Sequence, residues 1–416
     1  MRLKDICILG PQYVGEVTND IVSFVPMDCL RMGHIYLDNT INLKLGKRKY
    51  TYFADGDLLI AKVTPCFENG NIAIASGLKN GIGFGSSEFF VLRANNKKVL
   101  NMYLFYVALS SMFQDKACAT MCGVGGLKRI SPLFMQTYEL EIPGKTKQFE
   151  IIKYLDNKID KIDSHILLLS KKRNSYTKLR QAVIDNMTNS GLNFSTCSNI
   201  HIGDDSITKW KRYRIKDIAY LYSGLIGKSG DDFRSGDISK QKPFIPYTNI
   251  LNNTYINECQ FNYVVLEDGE NQNIVKRNDL LFLMSSEDYG SIAKTAVVKN
   301  DVGELYLNSF CKGVRFYDEK LVYAPFVNYQ LSSTKFRDYL RLEARGFTRI
   351  NIKVDKISSM FVYLPPLEEQ KAIVSYLDEK CAKIDTIICN INIQIDKLQS
   401  LKKSLINEVI SGKRTV

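Results

Sequence analysis

Two sets of loop residues carry basic and hydrogen-bonding side chains. In the first half of the chain they are Lys44, Lys47-Arg48-Lys49, Ser86-Ser87 and Lys128-Arg129. In the second half they are Lys228-Ser229, Arg234, Tyr247-Thr248-Asn249, Ser285-Ser286, Tyr289, Arg345 and Thr348-Arg349. Lysine and arginine neutralise phosphates, and arginine, asparagine and serine can hydrogen-bond base edges in a major groove. A solvated surface accounts for any one of these residues alone. The argument rests on their placement in two copies of a similar unit.

Signatures of catalysis are missing. Leu364-Pro365-Pro366-Leu367 lacks the polar first residue and the aromatic last residue of an Asn/Asp-Pro-Pro-aromatic motif. Neither a G-x-x-x-x-G-K-[ST] loop nor an H-E-x-x-H helix occurs. Gly81-x-Gly83-x-Gly85, read as a glycine-rich loop, and Gly123-x-Gly125-Gly126 are weak matches to phosphate cradles. Neither has the strand–glycine–helix setting with an acidic residue about twenty positions on. Glu68 and Glu88 read as lone carboxylates. The ten cysteines are scattered, with no C-x-x-C pair, and the three histidines (His34, His165, His201) do not cluster with them. Reduced thiols in a cytosolic protein, with no metal site, is the expectation. Nothing in these residues argues for an enzyme.

The chain has 416 residues, 45% apolar and 24% charged, with a net charge of +12. That length holds two or more domains. The basic balance favours a polyanionic partner, either nucleic acid or an anionic membrane. The N-terminus, MRLKDICILG, has no apolar region long enough for a signal peptide. The longest apolar run, around Val99 to Phe113, is too short to span a bilayer.

The elements that must position these loops come in duplicate. Gln148 to Asp163 (QFEIIKYLDNKIDKID) recurs as Gln370 to Asp385 (QKAIVSYLDEKCAKID), and the similarity continues through Leu179/Leu401, Arg180/Lys402 and Ile184/Ile406. Each copy reads as a long helix. The first seam is Ile152, Leu155, Ile159, Ile162, Ile166 and Leu169. The second is Val374, Leu377, Cys381, Ile384, Ile388, Ile391, Ile395 and Leu398, again in steps of three and four. Some 40 residues of helix make a rod of roughly 60 Å. Burying the two seams against each other, antiparallel, is the economical arrangement; packing of each helix on its own domain is the alternative.

The globular parts repeat too. Arg214-Ile215-Lys216-Asp217-Ile218 echoes Arg2-Leu3-Lys4-Asp5-Ile6, and Phe244-Ile245-Pro246 echoes Phe24-Val25-Pro26. Asp279-Leu280-Leu281 echoes Asp57-Leu58-Leu59, Leu331-Ser332-Ser333 echoes Leu109-Ser110-Ser111, and Arg349-Ile350 echoes Arg129-Ile130. Short strands with turn chemistry dominate each part, with a helical stretch from Asn101 to about Cys118. The expected division is residues 1–145, a helix over 146–190, a connector over 191–209, residues 210–365, and a helical end over 366–416.

With these pieces together the chain resembles the specificity subunit of Type I restriction–modification enzymes. The resemblance covers essentially the whole chain. It is carried by Leu364-Pro365-Pro366-Leu367-Glu368-Glu369-Gln370 running into Ile373 to Asp385, by the weaker copy from Pro143 and Gln148 to Asp163, and by Trp210 to Ile218. Gly56-Asp57-Leu58-Leu59 and Gly85-Ser86-Ser87-Glu88-Phe89 are also similar. The resemblance implies an α+β fold with an internal pseudo-twofold repeat. Two mixed α/β target recognition domains would be separated by two long helices forming an antiparallel coiled coil. Each domain would read half of a split, asymmetric target in double-stranded DNA, with the coil as ruler.

Two modification subunits, carrying S-adenosylmethionine, would dock on the helices, and restriction subunits would add ATP- and magnesium-dependent translocation and cleavage. This chain would bind no cofactor itself, and the setting is cytoplasmic. Two departures stand out. Pro143-Gly144-Lys145-Thr146-Lys147 occupies the place of Pro365-Pro366-Leu367-Glu368-Glu369, so entry to the first helix differs. The first unit also begins at Arg2 without a lead-in like that before Trp210, as if a short N-terminal segment were missing. Two other readings stay open: a self-contained DNA methyltransferase or nuclease with unrecognised motifs, and a basic coiled-coil interaction protein.

Overall fold

A computed structural model describes residues 1–416 other than 17–18, 125, 191–209, 234–239 and 268. The expected connector therefore lies outside the described residues. The chain forms two compact units, Met1–Lys171 with Ile391–Val416, and Lys172–Asn390. The long helices run Lys145–Ser190 and Leu367–Ile410, and each unit takes part of both. Among the described residues no helix is long and apolar enough to cross a membrane.

The first unit is built on a four-stranded antiparallel sheet, ordered Cys7–Leu9, Phe89–Ala94, Leu58–Ala61, Ile72–Ile74. Leu58–Ala61 is buried on both faces, which explains its unbroken apolar run. A second sheet orders Asn39–Asn42, Ile21–Val25, Ile82–Gly85 and Thr51–Ala54, with Ile21–Val25 parallel to Ile82–Gly85. Here the expected glycine-rich loop is corrected: it is a strand. A Cβ on Gly83 would lie 2.2 Å from the Phe53 ring. The glycine spacing makes room for a buried aromatic rather than for a phosphate.

The second unit repeats this frame. Its main sheet orders Ala219–Ser223, Cys311–Phe316, Leu280–Leu283 and Thr295–Val297, all antiparallel. Leu281 faces Gly313 as Leu59 faces Val91 in the first unit. Its second sheet pairs Gln241–Ile245 in parallel with Tyr306–Leu307 and antiparallel with Asn262–Val265.

One buried ion pair is common to both frames. Arg93 forks onto Asp57, Nε to Oδ1 and Nη2 to Oδ2, both at 2.7 Å. Arg315 does the same to Asp279, at 2.8 and 2.7 Å. Each aspartate also accepts a backbone N–H from its own turn, Ala54 or Lys276. With both oxygens satisfied, the carboxylate ties the turn to the neighbouring strand. Asp57 and Asp279 are almost wholly buried, so loss of either arginine would strand a charge, at about 3–5 kcal/mol.

The expected single helix from Asn101 is two, Asn101–Leu109 and Ser111–Ala119. Ser110 caps the second, its Oγ accepting from Phe113 N. Ser333 holds the same place before Thr334–Glu343. Ser110 Oγ donates to Val107 O at 2.6 Å and Ser333 Oγ to Gln330 O at 2.7 Å. The structural echo of Ser110 is thus Ser333, one residue beyond the sequence pairing.

Each long helix is docked by a buried glutamine in its first turns. Gln148 Oε1 accepts from Leu100 N at 2.8 Å, and its Nε2 donates to Lys98 O and Pro143 O. Gln370 Oε1 accepts from Tyr323 N at 2.9 Å, and its Nε2 donates to Leu321 O and Pro365 O. Farther along, Asp156 accepts from the Tyr106 hydroxyl. Its counterpart Asp378 accepts from Tyr329 at 2.7 Å and from Tyr255 at 2.9 Å.

Within each unit the helix segments are antiparallel. In the first, Ile151, Leu155 and Ile159 share a core with Leu405, Ile406 and Val409, and Lys402 meets Asp163 at 2.7 Å. In the second, Ile184 and Met187 share a core with Ile373, Val374, Leu377 and Cys381, and Arg180 meets Asp385 at 2.9 Å. The two ion pairs use the same repeat positions with the helices exchanged. Of the expected seam, Leu155, Ile159, Val374, Leu377, Ile384, Ile391 and Ile395 are buried. Ile152, Ile162, Ile166, Leu169, Ile388 and Leu398 are half-buried, and Ile151 is more buried than its neighbour Ile152.

Replacing Gln370 with leucine leaves the Tyr323 N–H and the Leu321 and Pro365 carbonyls without that partner. Each unsatisfied buried group costs about 1–3 kcal/mol. Gln370→Leu should therefore lower stability by about 3 kcal/mol or more in denaturant unfolding, whereas Lys371→Leu, one position on and exposed, should change it by under about 0.5 kcal/mol.

Candidate nucleic-acid interface

The second unit presents a short hairpin from Arg345 to Asn351. Its base is closed by reciprocal backbone bonds, Arg345 N to Asn351 O at 2.9 Å and Asn351 N to Arg345 O at 2.8 Å. Gly346 has φ +146°, and a Cβ there would lie 2.0 Å from Arg349 O. Only glycine permits this closure. Ala344, Ile350 and Ile352 are buried and anchor the hairpin, while Arg345 through Arg349 are all exposed. Ser285 and Ser286 pair with Asn351 and Ile350.

The hairpin overhangs a cleft of about 200 Å³ lined by Tyr247, Ser285, Ser286, Phe310 and Arg349, with Glu287, Asp288 and Ser291 at its side. The Arg349 guanidinium lies over the Phe310 ring, 4.8 Å from its centroid. That contact holds the cation in place without neutralising it. Ser285 Oγ is buried with no hydrogen-bond partner, which leaves a donor and acceptor unspent beside the cleft. The cleft loop is held from below by Arg337, whose Nη2 donates to Gly290 O and Ile292 O. Burial, together with Arg341, pushes this guanidinium down to about 10. Tyr289 is exposed and its hydroxyl donates to Gly346 O at 3.3 Å. Arg345 Nη1 donates to Ala344 O at 2.8 Å.

The first unit carries the corresponding hairpin, Cys122–Val124 paired with Leu127–Arg129. Gly123, at φ +154°, stands where Gly346 does; a Cβ would lie 2.1 Å from Leu127 O. Thr64 replaces the serine contacts, donating to Gly126 O and accepting from Lys128 N. Ile130 N bonds Lys62 O, as Ile352 N bonds Met284 O. Ile130 therefore echoes Ile352, not Ile350, and the sequence pairing of Arg129 with Arg349 is corrected by two residues.

Glu88 is not a lone carboxylate. Arg129 forks onto it at 3.0 Å through both nitrogens and holds its carboxyl below the usual range. Ser86 Oγ accepts from Glu88 N at 3.1 Å. Ser86, Ser87, Lys128 and Arg129 thus gather around one turn, with Ser87 and Lys128 exposed.

The remaining residues singled out in the sequence fall elsewhere. Lys47, Arg48 and Lys49 are exposed in the last turn of the helix Leu43–Lys49, which packs on the second sheet of the first unit. Lys47 lies 5.5 Å from the Tyr13 ring centroid. Thr348 is exposed on the hairpin. Arg234 lies outside the described residues.

Two expectations are corrected. The Lys228 side chain is 6% exposed and clamped by Glu270 at 2.5 Å and Asp232 at 3.7 Å, so its charge is spent internally. Asn249 is fully buried; its Nδ2 donates to Asn257 O and its Oδ1 accepts from Asn257 N. It braces a loop. Sequence reasoning missed Phe310 and Phe347. The only signal for Phe347 was an aromatic residue inside the polar run Arg345 to Arg349.

Comparisons with known proteins agree with this frame. Residues 207–397 match the Type I restriction modification DNA specificity domain. The chain is 35% identical to the EcoEI specificity subunit of Escherichia coli and 37% identical to the EcoAI specificity subunit, each over 36% of this chain and 26% of that protein. It therefore spans about a quarter of those relatives. The StySPI specificity subunit of Salmonella potsdam is 22% identical over 85% of this chain and 76% of its own length. A solved structure described under complex assembly and conformational transition of the type I R-M system has the same fold, with a TM-score of 0.71 at 16% identity, covering 99% of this chain and 96% of that one. With its second unit matching that domain over residues 207–397, the chain is similar to the specificity subunits of Type I restriction–modification enzymes.

Proposed function

We propose that the chain is a non-catalytic reader of double-stranded DNA, each unit recognising one half of a split, asymmetric target. The observation that carries this reading is the twin hairpin. Two units with main sheets of like order each hold a basic hairpin closed by backbone hydrogen bonds, but furnish its surroundings differently. In the first unit Arg129, at the place of Asn351, is paired with Glu88; in the second Arg349 lies on Phe310 and lines a cleft with an unspent serine hydroxyl. A shared frame with different contact chemistry fits one task performed on two sequences. Phosphate contacts position such a reader, and contacts in the clefts specify bases.

In this reading the long helices set the spacing of the half-sites and dock two modification subunits. Those subunits supply S-adenosylmethionine and methylate adenine; restriction subunits add ATP- and magnesium-dependent translocation and cleavage. The complex works in the cytoplasm. The reading that the chain is itself a methyltransferase or nuclease would require methyl transfer or cleavage by the purified chain alone.

Adenine-methylation mapping of DNA from cells expressing this chain with its modification subunit should show a split motif absent from cells with the modification subunit alone. No new motif would overturn the proposal. Arg349→Ala should weaken or relax one half of that motif only, by about 1–3 kcal/mol, or roughly fivefold to 150-fold in binding. Equal effects on both halves would exclude a division of labour. Deleting two turns from both long helices together should change the spacer accepted between the halves; an unchanged spacer would remove the ruler.

A further inference from the structure

Phe347 is fully exposed at the tip of its hairpin, and Val124 is 90% exposed at the tip of the other. Each directly follows the glycine whose backbone conformation closes the turn, Gly346 or Gly123. The two hairpins otherwise share little sequence, so the matching position is a feature of both. Neither tip is loose at its base. One is locked by the Arg345–Asn351 bonds, the other by Thr64. An apolar side chain is therefore held out in water on a stiff stalk, against the hydrophobic effect.

The surroundings say what would cover it. Arg345 and Arg349 flank Phe347, and Lys128 and Arg129 lie on the strand opposite Val124. The cleft with the unspent Ser285 hydroxyl lies beside the same hairpin as Phe347. A single ring on a short stalk is far from the roughly 800 Å² per partner of a stable protein interface. It has the form of the apolar wedges that enter between stacked base pairs while neighbouring cations hold the phosphates.

We propose that Phe347, and to a shallower depth Val124, are wedges that enter the base stack of the bound duplex next to each unit's reading surface. This rests on the reading of the chain as a DNA reader. The ring reaches farther than the valine side chain, so unstacking is greater at the half-site read by the second unit. The wedge makes recognition depend on how easily one base step opens, in addition to its hydrogen-bonding edges.

The test uses the complex of the full chain with its modification subunits and a duplex bearing the mapped target. 2-Aminopurine is placed in turn at each purine of the half-site affected by Arg349→Ala. Binding should raise fluorescence at one step distinct from the adenine that is methylated. Phe347→Ala should abolish that rise, keep the signal at the methylated adenine, and weaken binding tenfold to a hundredfold. Phe347→Leu should restore most of both. A mismatch placed at that step should narrow the gap between Phe347→Ala and the unaltered chain.

Specific binding by Phe347→Ala with unchanged affinity and fluorescence would overturn the wedge and leave the reader intact. Loss of modification-subunit association in the same variant would overturn it in favour of a protein contact. No target preference by the unaltered complex would overturn the reader itself.

Discussion

The structure depends on a glutamine whose hydrogen-bonding capacity is consumed at the start of each long helix. Gln148 and Gln370 are fully buried, and each bonds the backbone at three places. Buried amide groups are tolerated only when satisfied. That demand fixes where the helix begins relative to the helix and loop around Leu100 or Tyr323. Displacing the helix by one residue would break all three bonds together. Apolar seams cannot impose this, because a heptad pattern is nearly indifferent to a slide by a whole repeat.

From that fixed start the rest of each unit can be followed. Asp156 and Asp378, two turns on, accept tyrosine hydroxyls from the packed helix Asn101–Leu109 or Ala324–Ser332. Asp163 and Asp385 then meet Lys402 and Arg180. The buried Asp57–Arg93 and Asp279–Arg315 pairs tie the turn before the central strand to the strand beside it. These polar contacts are directional where apolar packing is not, and they specify one arrangement out of many of similar burial. The hairpins take no part in this network beyond their bases.

Much of this frame was legible in the sequence because its carriers are identical in both copies. Gln148/Gln370, Asp156/Asp378 and Asp163/Asp385 stood out by repetition, and the helix spacing is a local pattern. The echoes at Ser110 and Arg129 slipped, by one residue and by two, because loop lengths differ between the units, and hydrogen bonding reveals the true partners, Ser333 and Asn351. The site was less legible. Asn249 and Lys228 have the residue types of a DNA contact but are consumed internally, and residue type carries no information on burial. Phe310 becomes relevant only because folding lays Arg349 across it. Gly83 looked like a phosphate loop, although its lack of a side chain serves the buried Phe53 ring.

The closing glycines have one more consequence. In the second hairpin Gly346 alone has a backbone conformation that demands glycine, while every residue between Arg345 and Arg349 faces water. Substitutions at such exposed positions usually shift stability by no more than about 0.5 kcal/mol. Selection acting on the tips is therefore almost uncoupled from selection acting on folding. Lineages carrying this scaffold can drift through new tip sequences with little risk of losing the protein, provided the hinge glycine stays.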